Sequence, residues 1–560
     1  MKIKFLLFVQ LINVAILFGQ KQVSKNQYNT SNKIHQEKIF LHYNTNFLIT
    51  GESLNYKIYC LDFNSNLFSN LSKIAYVEII DSDNNTIEKQ KIKLTNGIGA
   101  GDFFIDTKLA SKNYKLIAYT EWMKNKNIFF SDELSIYNPF TTIDKNLVSI
   151  TKKMVNKENS KTINSNFIAL EKKVFKSRER VTLNLKNLEN GNYSISVRKY
   201  NPTISNKKLL SSNFNKKIIQ ENSTNNNTVF LPDFRGELIQ GKLSSKTNKN
   251  LKDIKVGLSV VQKNGISKIS NSDKNGYFYF NLIENYGSNP LHLQVITNDN
   301  HKYNIKIIKK NPLNLSKLKF SKLNFSKEIY NEIKQRSINV QIENAYNTLK
   351  QDLILERSNH KSFFRQSSQH FVLDEYKRFK TVKETIVEVI KSTWLTKKGD
   401  NYQFHVRDQN MNTNTNLETL VIIDGYIIKN HNELVEFNTN MIKIVHVFRD
   451  KYNLNSKLYQ GVIYIETFKE NFAPKINKDI LVLNLKSIFP KKKYFTPNYT
   501  KVSSSRIPDY RTQLFWDPEL NIKKSVKFYT SDVKGNYEIE IEGFTNKGKP
   551  ISIKEIFSVN

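Results

Sequence analysis

The chain has 560 residues, a formal charge of +35 and a single cysteine, with 39% hydrophobic and 24% charged residues. That length is enough for roughly three to five domains with separate cores. One cysteine, Cys60, excludes any intrachain disulfide, and no segment after the first twenty residues reaches the roughly 18–20 consecutive apolar residues of a membrane helix, so no transmembrane segment is expected.

The N-terminus reads as a secretory signal peptide. Lys2 and Lys4 precede an apolar stretch from Phe5 to Phe18, and small Gly19 comes before polar Gln20 and Lys21. Gln10 and Asn13 interrupt the stretch, which makes it too short for a membrane span. Cleavage is expected after Gly19, with residues 20–36 a flexible lead-in. No cysteine lies near the cleavage point, so a lipid anchor is not expected. A large exported chain without disulfides fits a bacterial envelope, in the periplasm or against the outer membrane.

Without Lys2 and Lys4 the charge is 35 − 2 = +33. The excess is spread along the chain, is mostly Lys, and accompanies abundant Asn and Ile, as in the products of A+T-rich genomes. The one tight cluster, Lys491, Lys492 and Lys493 with Lys486 upstream, is a candidate contact for anionic glycan or glycolipid. Export places nucleic acid out of reach.

From Glu37 to about residue 140, short apolar runs alternate with Asn/Asp/Gly/Ser turns, the pattern of an antiparallel β-sandwich. The expected strands are Ile39–Tyr43, Leu54–Phe63, Ile74–Ile80, Ile87–Leu94, Gly101–Ile105 and Tyr114–Trp122. Residues 141–228 hold linkers and a second sandwich, in which Val181, Leu183 and Leu185, then Tyr193, Ile195 and Val197, alternate with polar residues. A third β unit spans 229–312, with a turn at Asp273-Lys274-Asn275-Gly276 leading into Tyr277–Phe280. Asp273 and Asn275 lack the further acidic ligands of a calcium loop, so a plain turn is favoured. A partly helical connector follows over 313–375.

Residues 376–470 read as a small α+β unit. Thr381-Val382-Lys383-Glu384 is a capping box, and Val382, Ile386, Val389 and Ile390 share one helical face. The strand Leu420–Ile423 ends in a turn at Asp424-Gly425, taken as the candidate docking turn, and the strands Ile442–Phe448 and Gly461–Thr467 follow. Residues 471–560 return to β text. The fold class is therefore mainly β: tandem immunoglobulin-like or macroglobulin-type β-sandwiches with one small α+β domain.

No catalytic residue can be nominated. The chain lacks Gly-x-Ser-x-Gly, His-Glu-x-x-His and a phosphate-cradling Gly-rich loop. Its nine histidines form no i, i+3 or i, i+4 pair, so neither metal nor cofactor is expected. Cys60, with His42 or His446 imagined as its base, is better explained as a core residue. The period-two carboxylates Asp81/Asp83 and Glu540/Glu542 read as solvated strand or turn positions.

The first sandwich resembles the macroglobulin-type domain of a group of Gram-negative envelope proteins through Glu37–Tyr43, Phe47, Gly51-Glu52, Ser72–Glu78, Gly101–Phe104 and Asn113–Trp122. The third unit is similar to carboxypeptidase regulatory-like domains through Gly241 and Asp273–Phe280. The α+β unit resembles the plug domain of TonB-dependent receptors through Thr381–Ile390, Phe404–Arg407, Val421–Gly425 and Tyr459–Thr467. The C-terminal stretches Arg506–Arg511 and Phe528–Asp532 resemble the same group. There are three departures: residues 471–560 are too few for the 22-stranded barrel of a receptor, no Cys-x-Glu-Gln thioester surrounds Cys60, and the His-x-x-Glu zinc pair of a carboxypeptidase is absent. The resemblance implies a non-enzymatic, multi-module envelope protein whose partner is an outer-membrane or periplasmic protein. The competing reading is a binder of anionic glycan or glycolipid.

N-terminal sequencing of the envelope-localised protein is expected to start at or next to Gln20. A start at Met1 contradicts the signal-peptide reading.

Overall fold

A computed structural model of the chain describes residues 36–142, 148–151, 166–200, 208–214, 229–297, 300–326, 329–355, 369–409, 417–455, 457–500 and 506–560. The expected signal peptide and all but the last residue of the lead-in lie outside them. The protein is mainly β, built from tandem sandwiches of small sheets.

In the first sandwich a three-stranded sheet, Glu37–Tyr43, Ser53–Asp62 and Ile98–Phe104, faces a five-stranded sheet. The latter runs in the order Phe47–Ile49, Phe130–Tyr137, Lys112–Tyr119, Ile74–Ile80, Thr86–Lys93. The six expected strands are all present. Phe47–Ile49 and Phe130–Tyr137 are additional, and the first is only three residues long. Strand Glu37–Tyr43 is buried at every position, including His42. Since successive side chains point to opposite faces, this strand must be covered on both sides.

The covering layer is a second sandwich whose strands come from two distant parts of the chain. One sheet joins Ile168–Leu170 and Arg180–Leu185 to Val526–Tyr529. The other runs Val174–Phe175, Pro550–Val559, Gly535–Thr545, Gly191–Lys199, Gln513–Asp517. The expected separate domains at 141–228 and 471–560 are thereby corrected. Strand Gly191–Lys199 pairs antiparallel with Gly535–Thr545 along its whole length, and Tyr193, Ile195, Val197, Tyr537, Ile539 and Ile541 share one core. Four strands of the N-terminal half leave sheet edges that the C-terminal strands close.

The third unit likewise borrows a strand. A three-stranded sheet, Tyr277–Leu282, Glu237–Ser245 and Tyr303–Ile307, packs with a sheet ordered Ile266–Asn271, Lys255–Val260, Leu291–Val295, Ile480–Leu483. The turn before Tyr277 is an ordinary one: the Asp273 carboxylate accepts the amides of Asn275 and Tyr277 at 2.8 and 2.9 Å, and Gly276 has φ +83°.

The α+β unit has a five-stranded sheet ordered Gln369–Val372, Ile442–Leu454, Lys457–Thr467, Leu420–Ile423, Tyr426–Ile428. The helix Val382–Glu388 begins with the expected capping box: Thr381 accepts the Glu384 amide at 3.2 Å, and the Glu384 carboxylate accepts the Thr381 amide at 3.1 Å. The longer helix Ile329–Ala345 lies in the connector. Among the described residues no helix is long and apolar enough to cross a membrane.

The turn at Asp424-Gly425 does join two core strands, with φ of +49° and +90°. It is not open to an outside partner. Asp424 is buried, its carboxylate accepting the amides of Thr467 and Phe472 at 2.8 and 3.0 Å and the Thr467 hydroxyl at 2.6 Å. The turn rests on the third unit: Gln262 donates its amide to the Asp424 carbonyl at 3.2 Å, and the Ser267 hydroxyl donates to the Gly425 carbonyl at 2.7 Å. A Cβ on Gly425 would lie 2.4 Å from the Gly265 Cα. Ile269 and Ile296 of the third unit share a core with Leu420, Ile422, Ile427 and Tyr464 of the α+β unit. The candidate docking turn therefore docks within its own chain, and the two units do not have independent cores.

Gly425→Val is expected to strain the positive-φ position and to drive a branched side chain into the Gly265 backbone. It should lower the stability of the third and α+β units together by about 3 kcal/mol or more. Denaturant titration followed by hydrogen exchange of both units checks this. Loss confined to residues 376–470 contradicts the shared interface.

Candidate functional site

The seam between the first sandwich and the second is polar although it is buried. Even-numbered positions of Glu37–Tyr43 and odd ones of Ser53–Asp62 face the strands Gly191–Lys199 and Gly535–Thr545. Phe40 packs edge-on and Tyr59 at a tilt against Phe544, with ring centroids 5.8 and 5.5 Å apart. Beside them His42 Nε2 lies 3.1 Å from Glu540 Oε1, and His42 Nδ1 lies 2.6 Å from Ser194 Oγ. The Glu540 carboxylate is also ion-paired with Lys208 and with Lys554, the latter at 2.9 Å. Glu542, two residues on, accepts the Ser211 amide at 2.8 Å and the Ser552 hydroxyl. At the edge of the seam Glu52 holds Arg198 at 3.1 Å and Arg336 at 2.5 Å.

The electrostatics follow from burial and pairing. Burial would raise Glu540, but Lys208, Lys554 and His42 outweigh it and hold its carboxyl well below its ordinary value. Glu540 therefore accepts the His42 Nε2–H, and Nδ1 accepts the Ser194 hydroxyl. Burial lowers His42 to about 4, against the bond to Glu540, so the imidazole is neutral at pH 7. Burial and the neighbouring Glu540 charge push Glu542 up to about 7. Burial would raise Glu52 too, and the two guanidiniums bring it down to about 2.

Ser194, His42 and Glu540 are the residue types of a hydrolytic triad. Ser194 and His42 are both 0% exposed, so no substrate carbonyl can reach the hydroxyl in this arrangement. This arrangement holds two sandwiches in register. Period-two reading placed Glu540 and Glu542 in solvent. They are buried because strands some five hundred residues away cover them, which no local pattern reports. Cys60 is fully buried and its thiol is pushed well up by burial and by Glu37, as for a core residue. Among the described residues no group of three or more His, Cys, Asp and Glu could hold a metal ion.

The expected anion contacts are mostly neutralised in place. Lys486 pairs with Glu88 at 3.2 Å, Lys491 with Glu519 at 2.5 Å and Lys492 with Asp102 at 2.9 Å. Lys492 and Lys493 form a short strand paired with Leu353-Ile354. Between them and the third unit, Ile488 enters the first core and the Phe489 amide donates to the Lys91 carbonyl at 2.7 Å. These lysines belong to a strap that ties three units together, and Lys491 and Lys492 face the space beneath it.

Under the strap lies a cavity of about 1030 Å³ where the first sandwich, the second sandwich and the third unit meet. Lys57, Lys93, Lys263, Lys491 and Lys492 line it, and Glu519 is the one carboxylate among the lining residues. Lys57 is 1% exposed; its ammonium donates to the Tyr193 carbonyl at 2.9 Å and lies 4.7 Å from the centre of the Tyr59 ring. Burial lowers it to about 7, against the fields of Glu519 and Asp517. Sequence reasoning missed both the cavity and Lys57, whose neighbours come from three separate stretches of chain.

No protein-family model and no curated protein matches the chain. Among solved structures, 94% of it aligns with 44% of Escherichia coli alpha-2-macroglobulin activated by porcine elastase, at 9% identity and a TM-score of 0.24. It aligns over 94% of its length with 40% of the native conformation of the same protein, at 10% identity and a TM-score of 0.23. It aligns over 52% with 34% of dimeric latent PorU from Porphyromonas gingivalis, at 10% identity and a TM-score of 0.17. The chain thus spans less than half the length of these proteins, and scores this low carry no argument about function.

The pH dependence of stability follows from the seam. Glu542, raised above its unfolded value of 4.5, contributes fully below about pH 4.5, and the contribution is lost as pH rises through about 7. His42, depressed below 6.5, contributes fully above about 6.5 and loses its contribution as pH falls through about 4. Glu542→Gln is expected to remove the first limb, gaining on the order of 1–3 kcal/mol relative to the parent between pH 4.5 and 8. Urea titrations of both proteins across that range check it, and a pH-independent difference contradicts it.

Proposed function

We propose that this is a non-enzymatic, exported envelope protein, periplasmic or associated with the outer membrane, acting as a multi-module scaffold. In this reading the first sandwich is macroglobulin-type, the third unit regulatory-like and the α+β unit plug-like, and the whole serves as an accessory part of an uptake or secretion machine. The observation that carries it is the way the modules are joined. Buried ion pairs, borrowed strands and a shared core tie them into one body, and the hydrolytic-type residues in the seam have no access to substrate. A rigid body of this kind presents surfaces at fixed spacing, which is what a scaffold needs.

With Asp424-Gly425 buried, partner docking falls to an exposed face of the α+β unit. Met441 and Phe468 are 48% and 51% exposed and are joined by a 3.0 Å bond from the Phe468 amide to the Met441 carbonyl. Such an exposed apolar pair is what a protein partner covers. A second reading, binding of an anionic glycan or glycolipid, is favoured by the lysine-lined cavity.

Photo-crosslinkers placed at Met441 and Phe468 in intact cells are expected to capture one envelope protein. The complex should survive about 0.5 M salt, since a packed face is screened little. Phe468→Asp should abolish capture from Met441 without changing the melting temperature. Capture that persists in Phe468→Asp, or that vanishes in salt, contradicts docking at this face.

A further inference from the structure

We infer that the cavity at the junction of the three β units is a binding site for an acidic oligosaccharide, a short run of sugar rings bearing carboxylates. The inference rests on the second reading above, not on the scaffold role.

Charge is the first argument. Five lysines face the cavity against the single carboxylate of Glu519, which is engaged by Lys491. Lys492 is held by Asp102. Lys57 is different, because it is buried and, among the described residues, its ammonium has one hydrogen-bond acceptor, the Tyr193 carbonyl, for three donors. A buried ammonium without a carboxylate beside it is costly, and an entering carboxylate removes that cost. Burial lowers Lys57 to about 7, well below an ordinary lysine, and the charged groups acting on it are Glu519 and Asp517, which oppose that drop, and Lys491, which adds to it.

The amides are the second argument. Asn96, Asn192 and Asn264 line the same space, and their side chains make no hydrogen bond among the described residues. Each offers a donor and an acceptor, the complement of a sugar hydroxyl. An acidic peptide offers the amides one backbone donor and acceptor per residue, whereas a sugar ring offers several hydroxyls, so a cluster of amides favours sugar. At about 1030 Å³ the space lies at the upper end of ligand pockets and is far too large for a lone ion.

Calorimetry on the full mature chain tests this with tetragalacturonate as probe. Maltotetraose, poly-glutamate and inorganic phosphate serve as comparison ligands. Tetragalacturonate is expected to bind and maltotetraose not to bind. Lys57→Met and, separately, Lys263→Ala should each weaken binding by about tenfold. A carboxylate beside Lys57 raises its pKa, so binding at about pH 8 should take up a proton, and Lys57→Met should abolish the uptake. Lys263 is exposed, so its variant remains informative if Lys57→Met fails to fold. Equal binding of poly-glutamate or phosphate overturns the sugar class. Tetragalacturonate binding untouched by either variant overturns the cavity and leaves the glycan reading standing, whereas no binding of tetragalacturonate overturns both.

Discussion

Two lysines and a neutral imidazole converge on Glu540: Lys554 from the neighbouring strand, Lys208 from the connecting segment, and His42 from the opposite sandwich. A carboxylate buried this deeply is tolerated only with such partners, because stripping it of water costs several kcal/mol. The constraint spreads outward. His42 Nδ1 must accept the Ser194 hydroxyl once Nε2 is committed, and the Tyr59 hydroxyl reaches the same oxygen at 2.8 Å and the Glu542 carbonyl at 2.9 Å. Glu542, two residues along the strand, is pushed toward its protonated form by burial and by the charge that Glu540 keeps. One sheet register satisfies all of these bonds, and a one-residue slip would break every one.

The same logic recurs at the other joints. Lys91 and Glu237 pair at 2.6 Å between the first sandwich and the third unit, both side chains nearly buried. The Tyr76 hydroxyl donates to Asp233 at 2.9 Å, and Lys310 pairs with the same carboxylate at 3.3 Å. Between the third and α+β units the device is steric: Gly265 and Gly425 let two backbones approach where no side chain fits. Buried pairs of this kind add little net stability over apolar contacts. They exclude other arrangements, and a chain of many similar β modules needs that, since apolar sheet faces alone would pack in several ways.

Local features of the fold were legible in the sequence and non-local ones were not. The capping box at Thr381, the positive-φ turn at Asp424-Gly425 and the strands of the first sandwich are set by neighbours within a few residues, so pattern reading finds them. Strand Gly191–Lys199 is equally legible as a strand, but its partner Gly535–Thr545 lies more than three hundred residues away, and so the second sandwich looked like two domains. Glu540 and Glu542 alternate with apolar residues as a half-solvated strand would. The hidden variable was the second layer, which also explains why Glu37–Tyr43 carries His42 on a buried face. Lys57 and its cavity escaped for the same reason, because a lysine in β text has no local mark of burial.

Native-state hydrogen exchange of the strand Glu37–Tyr43 against Gly191–Lys199 and Gly535–Thr545 tests the central claim, that the seam makes the two sandwiches one cooperative body. Their amides are expected to open with a common free energy and to lose protection together when Glu540 is replaced by Ala. Exchange of Gly535–Thr545 at a distinctly lower free energy, with Glu37–Tyr43 still protected, would show that the sandwiches unfold separately and would contradict the account.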